Sequence, residues 1–312
     1  MSTFTLTKYV CVPAMLLFLG STAQAATLWV HCGAKDGLTS INAALKALQN
    51  SEESHGPSTI NVSGACHENV VIQSMDRLTL NAVNGASVTD ASGGTLDVIS
   101  ISDSRDVAIN GFTINGGAGT GNGISCNEYS LCRLSGNVIQ GAGNGGFALF
   151  GVSNATLDGD TLQNNGFAGL LIRTGSTVRL GLRPFTSRGN GQGINMGRKA
   201  LAAIGAVIEN NSDAGVVVQE QSTLDFSGSI SGNRSRGADV REGSVARFVT
   251  ATISGNAAEG VLVHDLSMVS FGGATVTGNH GVNDVVCAPQ FAATRGTTTD
   301  INGGTTNCIE PQ

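Results

Sequence analysis

Five side chains in the last quarter of the chain are of the types that acid–base chemistry needs: Asp239, Arg241, Glu242, His264 and Asp265. Histidine and carboxylates move protons, and an arginine neutralises an anionic substrate group. Such a set would serve β-elimination of a uronate. There the carboxylate is neutralised, the C5 proton removed and the leaving oxygen protonated. The same residues also fit a solvated face on which opposite charges are interleaved for solubility. The choice turns on what positions them.

Spacing gives the positioning elements. Asp239 and Arg241 stand two and four places after Gly237, and Leu262 and His264 stand in the same relation to Gly260. From Ala155 the chain falls into five consecutive repeats of 22, 24, 22, 22 and 23 residues, each with an apolar stretch, an Asn turn, a Gly and a short alternating strand. One and three places after the Gly are Leu170 and Ile172, Ile194 and Met196, Val216 and Val218, Ala238 and Val240, Val261 and Val263. Upstream, Phe147 and Leu149, and Ile124 and Cys126, are spaced in the same way. Period-two alternation puts each pair on one face, and only stacking of equivalent strands in parallel can bury that face. The expectation is an all-β solenoid of nine or ten parallel coils.

The residues between the buried pairs are expected to face solvent. Leu171 and Arg173, Asn195 and Gly197, Val217 and Gln219 would line up with Asp239, Arg241, Leu262 and His264, and the next place adds Arg198, Glu220, Glu242 and Asp265. Neighbouring coils lie about 4.8 Å apart, so these side chains form one patch. Its binding members would be Arg173, Asn195, Arg198, Gln219 and Glu220, with the arginines meeting anionic groups. A second column occupies the turns: Asn165, Asn190, Asn211, Asn233, Asn256 and Asn279. Asn tolerates left-handed backbone angles, and its amide both donates and accepts, so stacked copies can hydrogen-bond from coil to coil.

Both ends of such a stack need covers. In LTSINAALKALQN, Ile41, Ala44, Leu45 and Leu48 share a helical face, and Thr39 or Ser40 can cap its start. The chain therefore divides into a signal segment (1–25), a first strand with a short N-terminal capping helix (26–58), the solenoid (59–286) and a C-terminal tail (287–312). The signal is read from Lys8, the apolar run Tyr9–Gly20 and the exit Ala23-Gln24-Ala25. Cys11 leaves with it, and the remaining six cysteines suggest local pairs by chain order: Cys32–Cys66, Cys126–Cys132 and Cys287–Cys308. Cys126 also sits in an inward column, so an unpaired core thiol is the alternative there.

Composition excludes several classes. Without the signal there are 16 basic and 23 acidic side chains, a net charge of −7 that argues against nucleic acid. No CxxC pair with a nearby His suggests zinc, and no cofactor motif is present; the glycine runs GAGTGNG and GAGNGG read as turns because no helix signal follows them. No later segment is apolar for long enough to span a membrane. Glycine is about twice its usual share of roughly 7%, at 44 residues, yet the even spacing of Val, Ile and Leu points to many short strands rather than disorder.

Over about residues 59–286 the repeats resemble those of the pectin-lyase-like superfamily, which implies a right-handed parallel β-helix. The tail CAPQFAATRGTTTDINGGTTNC resembles the ending of bacterial β-helix repeat proteins without assigned activity. The enzymes of that superfamily leave motifs that are missing here. The only Trp is Trp29, outside the repeats, and no W-[IV]-D-H, G-H-G, R-I-K or D-P-H-D stretch occurs. Three stretches are similar to pectinesterase motifs. Gly64–Val70 has Cys66 where the family has Tyr, 146–151 has Gly146 where it has the nucleophilic Asp, and 181–185 carries an insertion. Without the carboxylate there is no nucleophile. The resemblance implies an exported protein, periplasmic or extracellular, that binds an extended polysaccharide or other cell-surface polymer along its solvent face. The alternatives are a polysaccharide lyase or hydrolase using the Asp239–Asp265 patch, and a structural or adhesive envelope protein.

Overall fold

The structure, a computed structural model, describes residues 25–50, 56–288, 293–295 and 305–308. The expected signal segment lies outside these residues apart from Ala25, as does most of the tail beyond Ala288.

Short strands separated by tight turns stack into a parallel β-solenoid of about ten turns. One side is a ten-stranded sheet, and an eighteen-stranded sheet wraps the remaining sides. A coil shows the path. Strand Ala168–Ile172 is followed by Thr177–Leu180 and Phe185–Arg188 on the larger sheet, and then Gln192–Met196 returns to pair in parallel with the first. Leu170 lies beside Ile194 and Ile172 beside Met196, so like positions stack.

All seven inward pairs read from the alternation are buried at 0% exposure. Each Val, Leu or Ile so buried contributes roughly 1.5–3 kcal/mol. On the other sheet Phe226 meets Phe248 edge to face at 6.1 Å between ring centres, and Phe248 stacks on Phe271 at 5.8 Å.

The Asn column is a continuous ladder. The backbone N–H and side-chain amide of Asn165 both donate to Oδ1 of Asn190, at 2.9 and 3.0 Å. The pattern repeats through Asn211, Asn233, Asn256 and Asn279, and ends on the Asp284 carboxylate. Its conformational basis differs from the expectation. The left-handed angle falls on the preceding residue, at Asn164, Asn210 and the glycines 189, 232, 255 and 278, and the ladder Asn itself does not adopt it. The glycine before each strand leaves room for the ladder: at Gly215 a Cβ would stand 2.7 Å from the Asn233 amide nitrogen. A second ladder, of serines, runs along the other edge of the ten-stranded sheet. The N–H groups of Ser104, Ser130 and Ser153 donate to the hydroxyls of Ser130, Ser153 and Ser176, and the run resumes from Ala200 through Ser222 and Ser244 to Ser267.

At the N-terminal end, helix α1 (Ile41–Gln49) is capped by Ser40 and buries Ile41, Ala44, Leu45 and Leu48. Glu68 anchors it: the carboxylate accepts from the Ile41 and Asn42 N–H groups, the Ser40 hydroxyl and the Asn42 amide. A carboxylate at a helix N-terminus is electrostatically favoured. Disulfides join Cys32 to Cys66, Cys126 to Cys132 and Cys287 to Cys308, the same local pairs that chain order suggests. Among the described residues no helix is long and apolar enough to cross a membrane.

Candidate functional site

The outer side of the ten-stranded sheet carries three columns of side chains. The middle column includes Ala148, Leu171, Asn195, Val217, Asp239 and Leu262, held in register by parallel pairing. These residues point away from the core, as the alternation requires, but they do not form an open solvent face. Leu171, Asn195, Val217 and Asp239 are only 2–5% exposed. Long side chains from the flanking columns fold over them. Gln192, Arg236 and Glu259 stand on one side, and Phe150, Arg173, Gln219, Arg241 and His264 on the other. The middle column is therefore the floor of a shallow groove across the strands that these flanking side chains largely close.

The proposed acid–base set does come together. His264 Nε2 lies 2.9 Å from Asp239 Oδ1, and His264 Nδ1 lies 3.0 Å from Asp265 Oδ2. Asp239 also faces Arg236 at 3.5 Å and Arg241 at 3.7 Å. Glu242 stands 3.9 Å from Arg241, whose guanidinium donates to Gln219 Oε1. Two members are additions to the sequence reading: Arg236, and Glu259, which pairs with Arg236 at 3.1 Å. Both directly precede the glycine of their repeat, a place that the sequence reading assigns to the turn. Of the arginines expected to meet anions, Arg241 is engaged as above and Arg198 lies 3.7 Å from Glu220, whereas Arg173 keeps a buried nitrogen without a hydrogen-bond partner among the described residues.

Arg198, Glu220, Glu242 and Asp265 occupy left-handed backbone positions, with φ of 52–58°. Glycine or asparagine holds such angles more cheaply. Beside them, Arg198, Lys199, Glu220, Gln221 and Glu242 line a depression of about 450 Å³. This volume falls within the range of ligand clefts.

Asn195 lies on the coil of Arg198, and Arg173 one coil earlier. Burial pushes the Arg173 guanidinium below the ordinary arginine pKa, opposed by the charge of Glu220. Arg173 Nη1, Asn195 Oδ1 and Glu220 Oε2 are buried and find no hydrogen-bond partner among the described residues. The Asn195 amide nitrogen is used, donating to Gln192.

The pectinesterase-like stretches have structural duties instead. Cys66 is in a disulfide, and Glu68 holds α1. Gly146 packs against the Asn165 amide. Arg183 is fixed to Asp158, with its N–H 2.7 Å from Oδ1 and Nη2 3.0 Å from Oδ2. That pairing holds the Asp158 carboxyl below its usual pKa.

No protein-family model matches the chain, and no curated protein matches it significantly in sequence. Solved structures do match. The A-module of mannuronan C-5 epimerase AlgE4 from Azotobacter vinelandii superposes with a TM-score of 0.62 at 13% identity, over 84% of this chain and 91% of that one. The A-module of AlgE6 from the same organism gives 0.59 at 16% identity, over 87% and 91%. At these identities the likeness shows the fold alone, a right-handed parallel β-helix.

Proposed function

We propose that the chain is an exported protein that binds an extended polysaccharide in the groove of the ten-stranded sheet, with the polymer crossing the strands. The observation that carries this reading is the surroundings of Asp239. A carboxylate 5% exposed sits on the groove floor, tied to Arg236, Arg241 and His264, while Arg241 reaches back to Gln219. Three consecutive coils thus contribute to one polar centre. A polymer lying across the strands meets a new set of side chains about every 4.8 Å. The scaffold shared with mannuronan C-5 epimerase modules supports a polysaccharide ligand. The leader-like start and three disulfides support export.

A second reading, a polysaccharide lyase with His264 as base, is favoured by the 2.9 Å contact between His264 and Asp239. Charged carboxylates only accept hydrogen bonds. Each ring nitrogen of His264 has a carboxylate oxygen within hydrogen-bond distance, Asp239 on one side and Asp265 on the other, whereas a base needs one nitrogen free. Binding without turnover fits this geometry better.

A glycan array probed with the full exported protein and with Asp239→Asn tests the proposal. The expected result is a polysaccharide ligand for the wild type, at least tenfold weaker binding by Asp239→Asn, and no unsaturated product. Product absorbing through a new C4–C5 double bond, lost in His264→Ala, establishes the lyase instead. Neither ligand nor product leaves a structural or adhesive role.

A further inference from the structure

The part of the groove around Gly197 differs from its neighbours. Along the column that follows the strands, Phe150, Arg173, Gln219, Arg241 and His264 are all large, and Gly197 alone has no side chain. It leaves a notch. A Cβ built there would collide with Arg173 Nη1 and stand 2.8 Å from Glu220 Oε2. These are two of the three buried polar atoms without a hydrogen-bond partner among the described residues, Glu220 Oε2 lying 3.7 Å from Arg198 Nε, and the third, Asn195 Oδ1, belongs to the strand that ends just before Gly197, on a side chain 3% exposed. Buried polar groups left unpaired are costly, so three in one neighbourhood call for a ligand group.

Their chemistry restricts that group. Arg173 Nη1 can only donate; Glu220 Oε2 and Asn195 Oδ1 can only accept. A carboxylate or phosphate would satisfy the arginine and leave both acceptors unpaired, with Glu220 repelling it. An ammonium group would satisfy the acceptors and be repelled by Arg173 and Arg198. Hydroxyl groups donate and accept, so adjacent hydroxyls of a neutral sugar match all three atoms. Glu220 also lines the 450 Å³ depression beside the notch, which gives room for the rest of the ring.

We infer that the Gly197 notch is a subsite for a neutral sugar residue, read through its hydroxyls by Arg173, Asn195 and Glu220. The inference rests on the groove being the polysaccharide site, and it sets the ligand class as neutral rather than uronate.

The test is calorimetric titration of the full exported protein with cellohexaose, laminarihexaose and mannohexaose, and with hexagalacturonate as the acidic probe. A neutral hexasaccharide should bind more tightly than hexagalacturonate. Gly197→Ala should weaken it at least tenfold with an unchanged melting temperature. The added methyl meets only the tips of two flexible side chains, and Gly197 does not hold a left-handed angle. Arg173→Met, which keeps the length and removes the donor, should weaken the same ligand. Tighter binding of hexagalacturonate than of every neutral probe overturns the inference. So does a neutral ligand whose affinity neither variant changes; if Asp239→Asn still weakens that ligand, the groove reading stands and only the notch fails. If no neutral hexasaccharide binds the wild type, the inference falls, and the groove reading is decided separately by the glycan array.

Discussion

The turn lined by the asparagine ladder and the outer groove lie on either side of the same ten strands, and they follow opposite rules. From Asn165 to Asn279 every coil places the same side chain at the same point, because each copy meets an identical copy above and below. In the column just outside, the equivalent places hold Phe150, Arg173, Gly197, Gln219, Arg241 and His264. Stacking asks nothing of these positions, so their variety reflects something other than the fold. In a solenoid, repetition marks what holds the coils together, and the proposed ligand site lies where repetition stops.

Substitutions on the two sides of one strand should break the comparison most sharply. Val240→Asp puts a charge into the fully buried core without a partner and should prevent folding, seen as loss of soluble protein and of the strand signal in circular dichroism. Arg241→Ala, the next residue but on the groove side, should cost less than about 1 kcal/mol in chemical denaturation. Similar losses from both would end the distinction.

The ladder itself should be the next largest effect. Asn211 accepts from Asn190 and donates to Asn233 and to the Ser187 carbonyl. Asn211→Ala strands several buried groups at once and should cost about 3–5 kcal/mol in urea unfolding.

Asp160 shows what happens where a carboxylate takes the place of such an amide. It accepts from the Asn137 N–H and amide, and burial still pushes its carboxyl up to about 6. The folded state therefore holds this proton more tightly than the unfolded chain. The associated stability is complete below the unfolded value near 3.8 and is lost as pH rises through about 6. Asp90, Asp158 and Asp284 are shifted the other way and lose stability as pH falls. The difference between wild type and Asp160→Asn isolates the one group. Relative to wild type, the variant should gain about 2–3 kcal/mol between pH 4 and pH 7 in denaturant titrations. A pH-independent difference would show that Asp160 does not titrate in this window.

The smallest effect sharpens the rule. The serine ladder is interrupted only at Ala200, which is 1% exposed between Ser176 and Ser222. Ala200→Ser should restore the repeat and raise stability by about 0.5–1 kcal/mol, measured as a shift of the urea midpoint. A loss would mean that the site is too tight for a hydroxyl.

What was legible in the sequence follows the same division. The inward pairs and the Asn column were readable because a period of two inside a period near 22 leaves a regular trace. Asp239, Arg241, Glu242, His264 and Asp265 were readable as neighbours for the same reason, being tied to the glycines of adjacent repeats. The serine ladder was overlooked although its spacing is as even as that of the asparagines, since serine is common in any turn. Burial of Asn195 and Asp239 was not readable. It depends on how far the long side chains of Arg173, Arg236 and Arg241 fold across the sheet, and alternation says only which way a residue points. Nor could spacing tell that the arginines are already paired. That holds for Arg198 and Arg241 and not for Arg173, and it follows from contacts between coils that spacing does not encode.

The central claim is that the varied outer groove reads a polysaccharide while the repeated turns only hold the coils together. Amide hydrogen exchange, with and without the tightest-binding hexasaccharide, tests it most directly. Protection should appear in the turns that follow the strands, at Gly197–Lys199, Gln219–Gln221, Arg241–Gly243 and His264–Leu266, and nowhere on the eighteen-stranded sheet. Protection confined to that larger sheet or to α1, with those four turns unchanged, would contradict the account.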